Sequence, residues 1–263
     1  MKRQYNSTTI DIYWDDYWRR CGKDTNFITN NTIYPLYPID KYIKRDHKIL
    51  ECGCGLGRVL KHYYYQGYNI EGIELNSNAV KMLLNEDPMI PVKMGNVLSI
   101  PYADGEFDVV MAFGVVSCLE QIQDRDRALN ELRRVTKKGG LLCCSVNCDN
   151  VARSIFRMLK TYESFVKKSE KFFYSWCYKK NEFAKILSEL GFEIVEVQPS
   201  ITRAPLYMYF PFMRESRQFD LSKARNGDQG YRLNYIGESL FKIIRKMIPS
   251  HYAEGLVYIG EKT

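Results

Sequence analysis

The segment Lys48-Ile49-Leu50-Glu51-Cys52-Gly53-Cys54-Gly55-Leu56-Gly57-Arg58-Val59-Leu60 restricts this chain more than any other. A short apolar strand runs into a turn with glycine at every second position, and a helix begins where the turn ends. Glycine lacks a Cβ and adopts positive φ readily, so such a turn lets backbone amides approach a ligand closely. Arg58 stands where a dinucleotide fingerprint would place its third glycine. Glu51 lies two residues before the first glycine, where a carboxylate would repel a pyrophosphate. It suits a ligand with positive charge, such as the ammonium of a methionine moiety.

From His47 onward, strands and helices alternate. The pattern predicts strands at Lys48–Cys52, Asn69–Glu74, Pro91–Met94, Phe107–Phe113 and Leu141–Asn147. Between them it predicts helices at Leu56–Gln66, Ser77–Asn85 and Arg125–Thr136, the last stopped by Lys137-Lys138-Gly139-Gly140. Such alternation implies a parallel sheet with helices on both faces. The rhythm breaks over Val151–Tyr174, which is basic, amphipathic and aromatic. It returns with a helix at Lys180–Leu190 and a strand at Phe192–Gln198, and breaks again over Pro199–Tyr231. A helix near Ile236–Met247 and a strand at Gly255–Gly260 follow. Residues 1–46 read as a leader with helical turns, in which Tyr13, Trp14, Tyr17 and Trp18 share one helix face. The organisation expected is therefore a helical leader or lid (1–46), a ligand-binding core (47–150), and cap insertions that complete the sheet (151–263), within one domain overall. A chain of 263 residues is long enough for that.

The net charge of +7 is compatible with an acidic substrate, an anionic membrane surface or nucleic acid, and selects none of them. No block of five like charges occurs. The first residues lack the apolar core of a signal peptide, and no apolar run is long enough to cross a bilayer. The eight cysteines show no disulfide-scaffold spacing, so reduced thiols in a cytoplasmic protein are the simplest expectation. Zinc-site spacing is absent too, and no metal is expected. His47, His62 and His251 stand alone, without a neighbouring motif, and no general base is named by the sequence.

In a parallel α/β sheet, ligands bind beyond the carboxyl ends of the strands. Strand one ends at Glu51 and the turn Gly53, Cys54, Gly55, Gly57. Strand two ends at Glu74 and Leu75, where an acid can accept from both hydroxyls of a ribose. Strand three is followed by Gly95, Asn96 and Val97, and the Asn96 amide can accept from an exocyclic amine and donate to a ring nitrogen. Strand four ends at Phe113 and Gly114, where backbone can approach a ligand closely.

The order acid-x-GxGxG, IEGIELN, GNVLSIPYADGEFDVVMAFGVVSCLE and LRRVTKKGGLL resembles class I S-adenosylmethionine-dependent methyltransferases, in particular the broad family called methyltransferase type 11. The resemblance covers about residues 47–147 well and Tyr174–Val197 more loosely. It implies a Rossmann-like, doubly wound α/β fold with a mostly parallel seven-stranded sheet and an antiparallel last strand. It implies S-adenosyl-L-methionine as cofactor. Glu51 and the glycine turn would hold the methionine part, Glu74 the ribose, Asn96 and Val97 the adenine, while Phe113 would give backbone contacts. Asn96 replaces the Asp usual in the family, and Gly114–Glu120 lacks the histidine common after strand four. The resemblance implies methyl transfer without naming the acceptor, and the expectation is an O or N atom of a small-molecule or glycan-type acceptor. The alternatives are an RNA- or protein-modifying methyltransferase, or a cofactor-binding scaffold without turnover. No Asn-Pro-Pro-Tyr-like segment follows strand four, and no RNA-binding motif is found, which argues against nucleic acid. The aromatic inserts should form a lid over the strand ends. Leu206–Met213 could be buried in that cap, or could touch a partner or a membrane surface.

Overall fold

The computed structural model describes residues 1–6, 12, 14, 36–154, 172–215 and 231–263. Tyr13, Tyr17 and Trp18 of the expected aromatic face lie outside the described residues, as do 155–171 and 216–230 of the two inserts. Strand β1 (Lys2–Asn6) precedes a short helix α1 (Leu36–Ile39). The core then runs β2 (Lys48–Cys52), α2 (Arg58–Tyr65), β3 (Asn69–Glu74), α3 (Ser77–Glu86), β4 (Val92–Met94), β5 (Phe107–Phe113), α4 (Ile122–Val135) and β6 (Thr136–Cys148). The rest comprises β7 (Phe172–Tyr178), α5 (Lys180–Glu189), β8 (Phe192–Ser200), α6 (Ala204–Tyr209), α7 (Tyr235–Met247), α8 (Pro249–Tyr252) and β9 (Gly255–Lys262).

The expected sheet forms. Its path is β4-β3-β2-β5-β6-β9-β8, parallel from β4 to β6, with β9 antiparallel to both of its neighbours. Side chains alternate across it. In β2, Ile49 packs beside Val59, Leu60 and Tyr63 of α2, while Leu50 and Cys52 share the opposite core with Ala128, Leu129 and Leu132 of α4. Burial on both faces explains why β5 reads as an almost unbroken apolar run.

Three local features depart from the sequence reading. Lys2–Asn6 is a strand, whereas a helical leader was expected, and it pairs antiparallel with β7. Strand β7 in turn joins β6 through Asn147 and Cys148, at the carboxyl end, so the sheet has nine strands among the described residues where seven were implied. The cationic Lys137–Gly140 stretch does not simply end α4. Strand β6 already begins at Thr136, and a register shift opposite Phe107–Val109 absorbs the extra residues. The last carbonyls of α4 are met from another element: Lys262 Nζ donates to Arg133 O (2.7 Å) and Thr136 O (2.6 Å).

Chain order decides where a ligand would lie. From β2 the chain moves outward through β3 to β4, then crosses back to place β5 on the other side of β2. The crevice between β2 and β5 is thus the topological switch point, beyond the carboxyl ends of the strands.

Candidate functional site

The glycine turn continues the pairing of its strand before it breaks away. Gly53 N and Cys54 N both donate to Ile73 O, at 2.8 and 3.2 Å. Gly53 has φ +70°, and a Cβ placed there would come within 2.4 Å of Val115 Cγ2. The turn therefore needs glycine on two counts, backbone conformation and space. Cys54 is buried and packs against Gly72.

Glu51 shares the face of Ile49, which directs it under α2. It is buried, and its Oε2 accepts from Leu60 N at 2.8 Å. Helix α2 starts from Gly57, which offers no side-chain cap. Glu51 takes that role from the preceding strand, satisfying an orphan amide at the positive end of the helix. Burial nevertheless pushes its carboxyl up to about 8, against the lowering effects of the Leu60 amide and the nearby Arg58. The carboxyl thus stands directly behind the glycine turn, largely protonated at neutral pH.

Glu74 ends β3, and its two oxygens tie two segments together. Oε2 accepts from Gly55 N in the glycine turn, and Oε1 from Asn76 N, both at 2.8 Å. A carboxylate offers about four lone-pair positions, so two remain for further donors. Asn76 caps α3, accepting from Asn78 N and Ala79 N at 3.0 Å. Beside Glu74, Leu75 is 62% exposed, a large apolar side chain left open at a strand end.

Asn96 makes an Asx turn: its Oδ1 accepts from Leu98 N at 2.9 Å. That leaves one acceptor position and the amide's two donors. Val97 is buried beside it. The loop carrying both residues is clamped by α4. Glu131 Oε2 accepts from Ile100 N (2.7 Å), and Arg134 donates to Ile100 O (2.9 Å) and Tyr102 O (2.8 Å).

Gly114 leaves β5 with φ +77°, and a Cβ built there meets nothing within 4 Å. The strand exit therefore borders open space. Its amide is held by β6, donating to Ser145 Oγ at 2.9 Å. Ser145 was missed from sequence; the parallel register that sets it opposite Phe113 was the signal that could have found it. Phe113 itself is half-buried against the α2-side core.

Beyond Gly114, strand β7 closes the other flank. Trp176 Nε1 donates to Leu119 O (3.0 Å) and Glu120 O (3.1 Å), and Arg3 of β1 lies over the Trp176 ring at 4.9 Å. Asp149, one residue past β6, is buried and ion-paired with Lys2 at 3.1 Å. The structure thus gathers Glu51, Gly53, Cys54, Gly55, Gly57, Glu74, Leu75, Asn96, Val97, Phe113 and Gly114 at one edge of the sheet. The three histidines take no part in it. His62, for example, faces Gln66 on the outside of α2.

Among the described residues no cluster of three or more His, Cys, Asp or Glu could hold a metal. The seven described cysteines form no disulfide among the described residues. Burial raises the thiols of Cys52, Cys54, Cys118, Cys143, Cys144 and Cys148, that of Cys148 to about 11 and those of Cys118 and Cys143 to about 12, so these six remain protonated and unreactive.

Residues 50–144 match the family model described as a methyltransferase domain. Solved structures of S-adenosylmethionine-dependent methyltransferases share the fold around them. A methyltransferase structure from Methanosarcina mazei superposes over 88% of this chain and 98% of its own, with a TM-score of 0.59 at 20% identity. Norajmaline N-methyltransferase of Rauvolfia serpentina is 30% identical over 103 residues, 36% of this chain and 34% of that enzyme. Demethylmenaquinone methyltransferase of Alkalihalophilus pseudofirmus is 29% identical over 186 residues, 59% of this chain and 73% of that enzyme. The chain spans about half or less of the length of most of the first curated relatives it matches.

The cofactor of that class fits the residues present. The two oxygens of Glu74 keep free lone pairs at the height of the glycine turn, exposed Leu75 offers an apolar surface to a ring, and Gly114 opens onto empty space.

Proposed function

We propose that this chain transfers a methyl group from S-adenosylmethionine to an O or N atom of a small-molecule or glycan-type acceptor. One observation carries the reading: Glu74 couples the glycine turn to the end of β3, 2.8 Å from Gly55 N, beside the exposed Leu75. A carboxylate held by two amides is pre-positioned, so it accepts from ribose hydroxyls with little further ordering. In this arrangement the amides of the glycine turn face the methionine part, Glu51 backs that turn, and Asn96 and Val97 flank the adenine. Phe113 and Gly114 give main-chain contacts at the amino-acid end of the cofactor.

Bound there, the cofactor supplies an electrophilic methyl on a sulfonium. The chain's task is alignment: an acceptor must sit in line with the breaking bond, and orientation alone accounts for a large part of the rate. The β1·β7 ribbon and the cap between β8 and β9 both join the sheet at the carboxyl end of β6, next to the β5 exit, and an acceptor would approach from that side. Relatives named for an alkaloid and for a quinone support a small organic acceptor.

Isothermal titration with S-adenosylmethionine and its demethylated product tests the cofactor step. Glu74→Ala removes two charged hydrogen bonds to ribose, each worth about 1.5–3 kcal/mol, so affinity falls by roughly 100-fold or more. A Glu74→Ala protein that binds as tightly as wild type would sink the assignment. A screen of amine, phenol and sugar acceptors for the demethylated product tests the transfer step.

A further inference from the structure

The cap between β8 and β9 leaves one face uncovered. Its own small core joins Leu206, Tyr207, Met213, Leu233, Phe241, Ile244 and Tyr252. Helix α7 buries Gly237, Phe241 and Ile244 against that core. Yet Ile236 is 62% exposed, Ile243 58% and Met247 69%. Separations of seven and four residues place these three in one stripe along the helix. Phe212 and Met208, from the segment that packs on α7, are exposed as well, as are Tyr235 and Ile248 at the two ends of the helix.

Lys242, Arg245 and Lys246 are exposed along the same helix. None makes an ion pair among the described residues. The helix's one acid, Glu238, is already taken by Arg203 at 2.6 Å. An apolar stripe flanked by cations with no ion-pair partner among the described residues is the composition of a helix that lies in the headgroup layer of an anionic bilayer.

We propose that α7 and the exposed side chains of Met208 and Phe212 form a docking face for an anionic lipid surface. No helix of the described residues is long and apolar enough to cross a membrane, so the contact is in-plane. A second copy of the chain is a poorer occupant. A two-fold dimer through this face would set Lys242, Arg245 and Lys246 close to their own copies. The position also suits the fold. Strand β8 ends and β9 begins at the same sheet edge as the glycine turn, because β8 runs parallel to β6. The cap, and its apolar face with it, is therefore rooted at the edge where the cofactor site lies.

The test is co-sedimentation of the full chain with vesicles of phosphatidylcholine, with and without phosphatidylglycerol. Wild type sediments with the anionic vesicles and not with phosphatidylcholine alone, and salt weakens the binding. Lys242→Glu with Lys246→Glu lowers partitioning by at least roughly 30-fold, about fivefold for each cation lost. Ile243→Asp with Met247→Asp abolishes it. Both variants keep the wild-type melting temperature, since all four side chains are exposed and outside the cofactor-binding residues. Three results would overturn the proposal: no sedimentation of wild type with anionic vesicles, undiminished binding by either variant, or a concentration-dependent dimer in solution that Ile243→Asp dissolves. Tighter binding to an RNA homopolymer than to the vesicles, through the same lysines, would also overturn it.

Discussion

Replacing Glu51 with Gln should change how stability depends on pH. In the folded chain burial holds this carboxyl at about 8, whereas in the unfolded chain it titrates near its ordinary 4.5. Between those values the native state binds more protons than the unfolded state. Stability is therefore fully present below pH 4.5 and is lost as pH rises toward and through 8. The gap corresponds to ~5 kcal/mol at most, and about half of it is lost between pH 5 and pH 7. That is a large part of the 5–15 kcal/mol typical of a folded domain. Glutamine keeps an oxygen for Leu60 N and carries no charge, so it removes the titration. Its extra amide donors cost about 1–3 kcal/mol if left unpaired, but that cost is independent of pH. Buried Glu254, also raised, and half-buried His62, which is lowered, titrate alike in both proteins and cancel in the difference. Urea unfolding from pH 5 to pH 9 provides the measurement. The wild type should lose stability relative to Glu51→Gln by about 1.4 kcal/mol per pH unit near pH 6–7. Parallel profiles would show that Glu51 is not held protonated by burial and that its role behind the glycine turn has been misread.

Two glycine substitutions should separate space from conformation. Gly53→Ala combines positive φ with a 2.4 Å approach to Val115, so it should cost several kcal/mol and lower the melting temperature sharply. Gly114→Ala meets nothing within 4 Å; it should cost only the ~1–2 kcal/mol of its backbone conformation, yet weaken cofactor or acceptor binding by projecting a methyl into the open space. Calorimetric melting with and without cofactor distinguishes the two. Arg134→Ala removes two of the three clamps that hold the loop carrying Asn96 and Val97 to α4 and leaves the Glu131 one, with an expected loss of about 1.5–3 kcal/mol in stability and a larger drop in affinity for adenine-containing ligands than for methionine alone. Titration with adenosine and with methionine checks it.

What the sequence made legible was what is written locally. The glycine spacing, the apolar run Phe107–Phe113 and the acid at the end of β3 each depend on a few neighbouring residues, and the structure brings them together at one edge. The two added strands were not legible, because their partners are remote. Lys2–Asn6 pairs with residues 172–177, and β7 is Phe-Phe-Tyr-Ser-Trp-Cys-Tyr, which lacks the apolar–polar alternation that marks a one-sided strand. The start of β6 was misplaced because Gly139-Gly140 reads as a helix stop, whereas Lys262 from β9 completes the end of α4. Glu51 was read for its charge alone. That it also serves as the cap of α2 depends on Gly57 having no side chain to offer, a geometric fact that strand parity makes visible only once the helix is in place. The run Leu206–Met213 proved to be divided: Leu206, Tyr207 and Met213 are buried, while Met208 and Phe212 face outward.

The most direct test of the central claim is a calorimetric titration of the wild-type chain with S-adenosylmethionine, with Glu74→Ala run alongside at equal fold integrity. One-site binding that is lost or weakened about 100-fold in the variant is the predicted result. No heat of binding at millimolar cofactor, or equal affinity in the two proteins, would contradict the account.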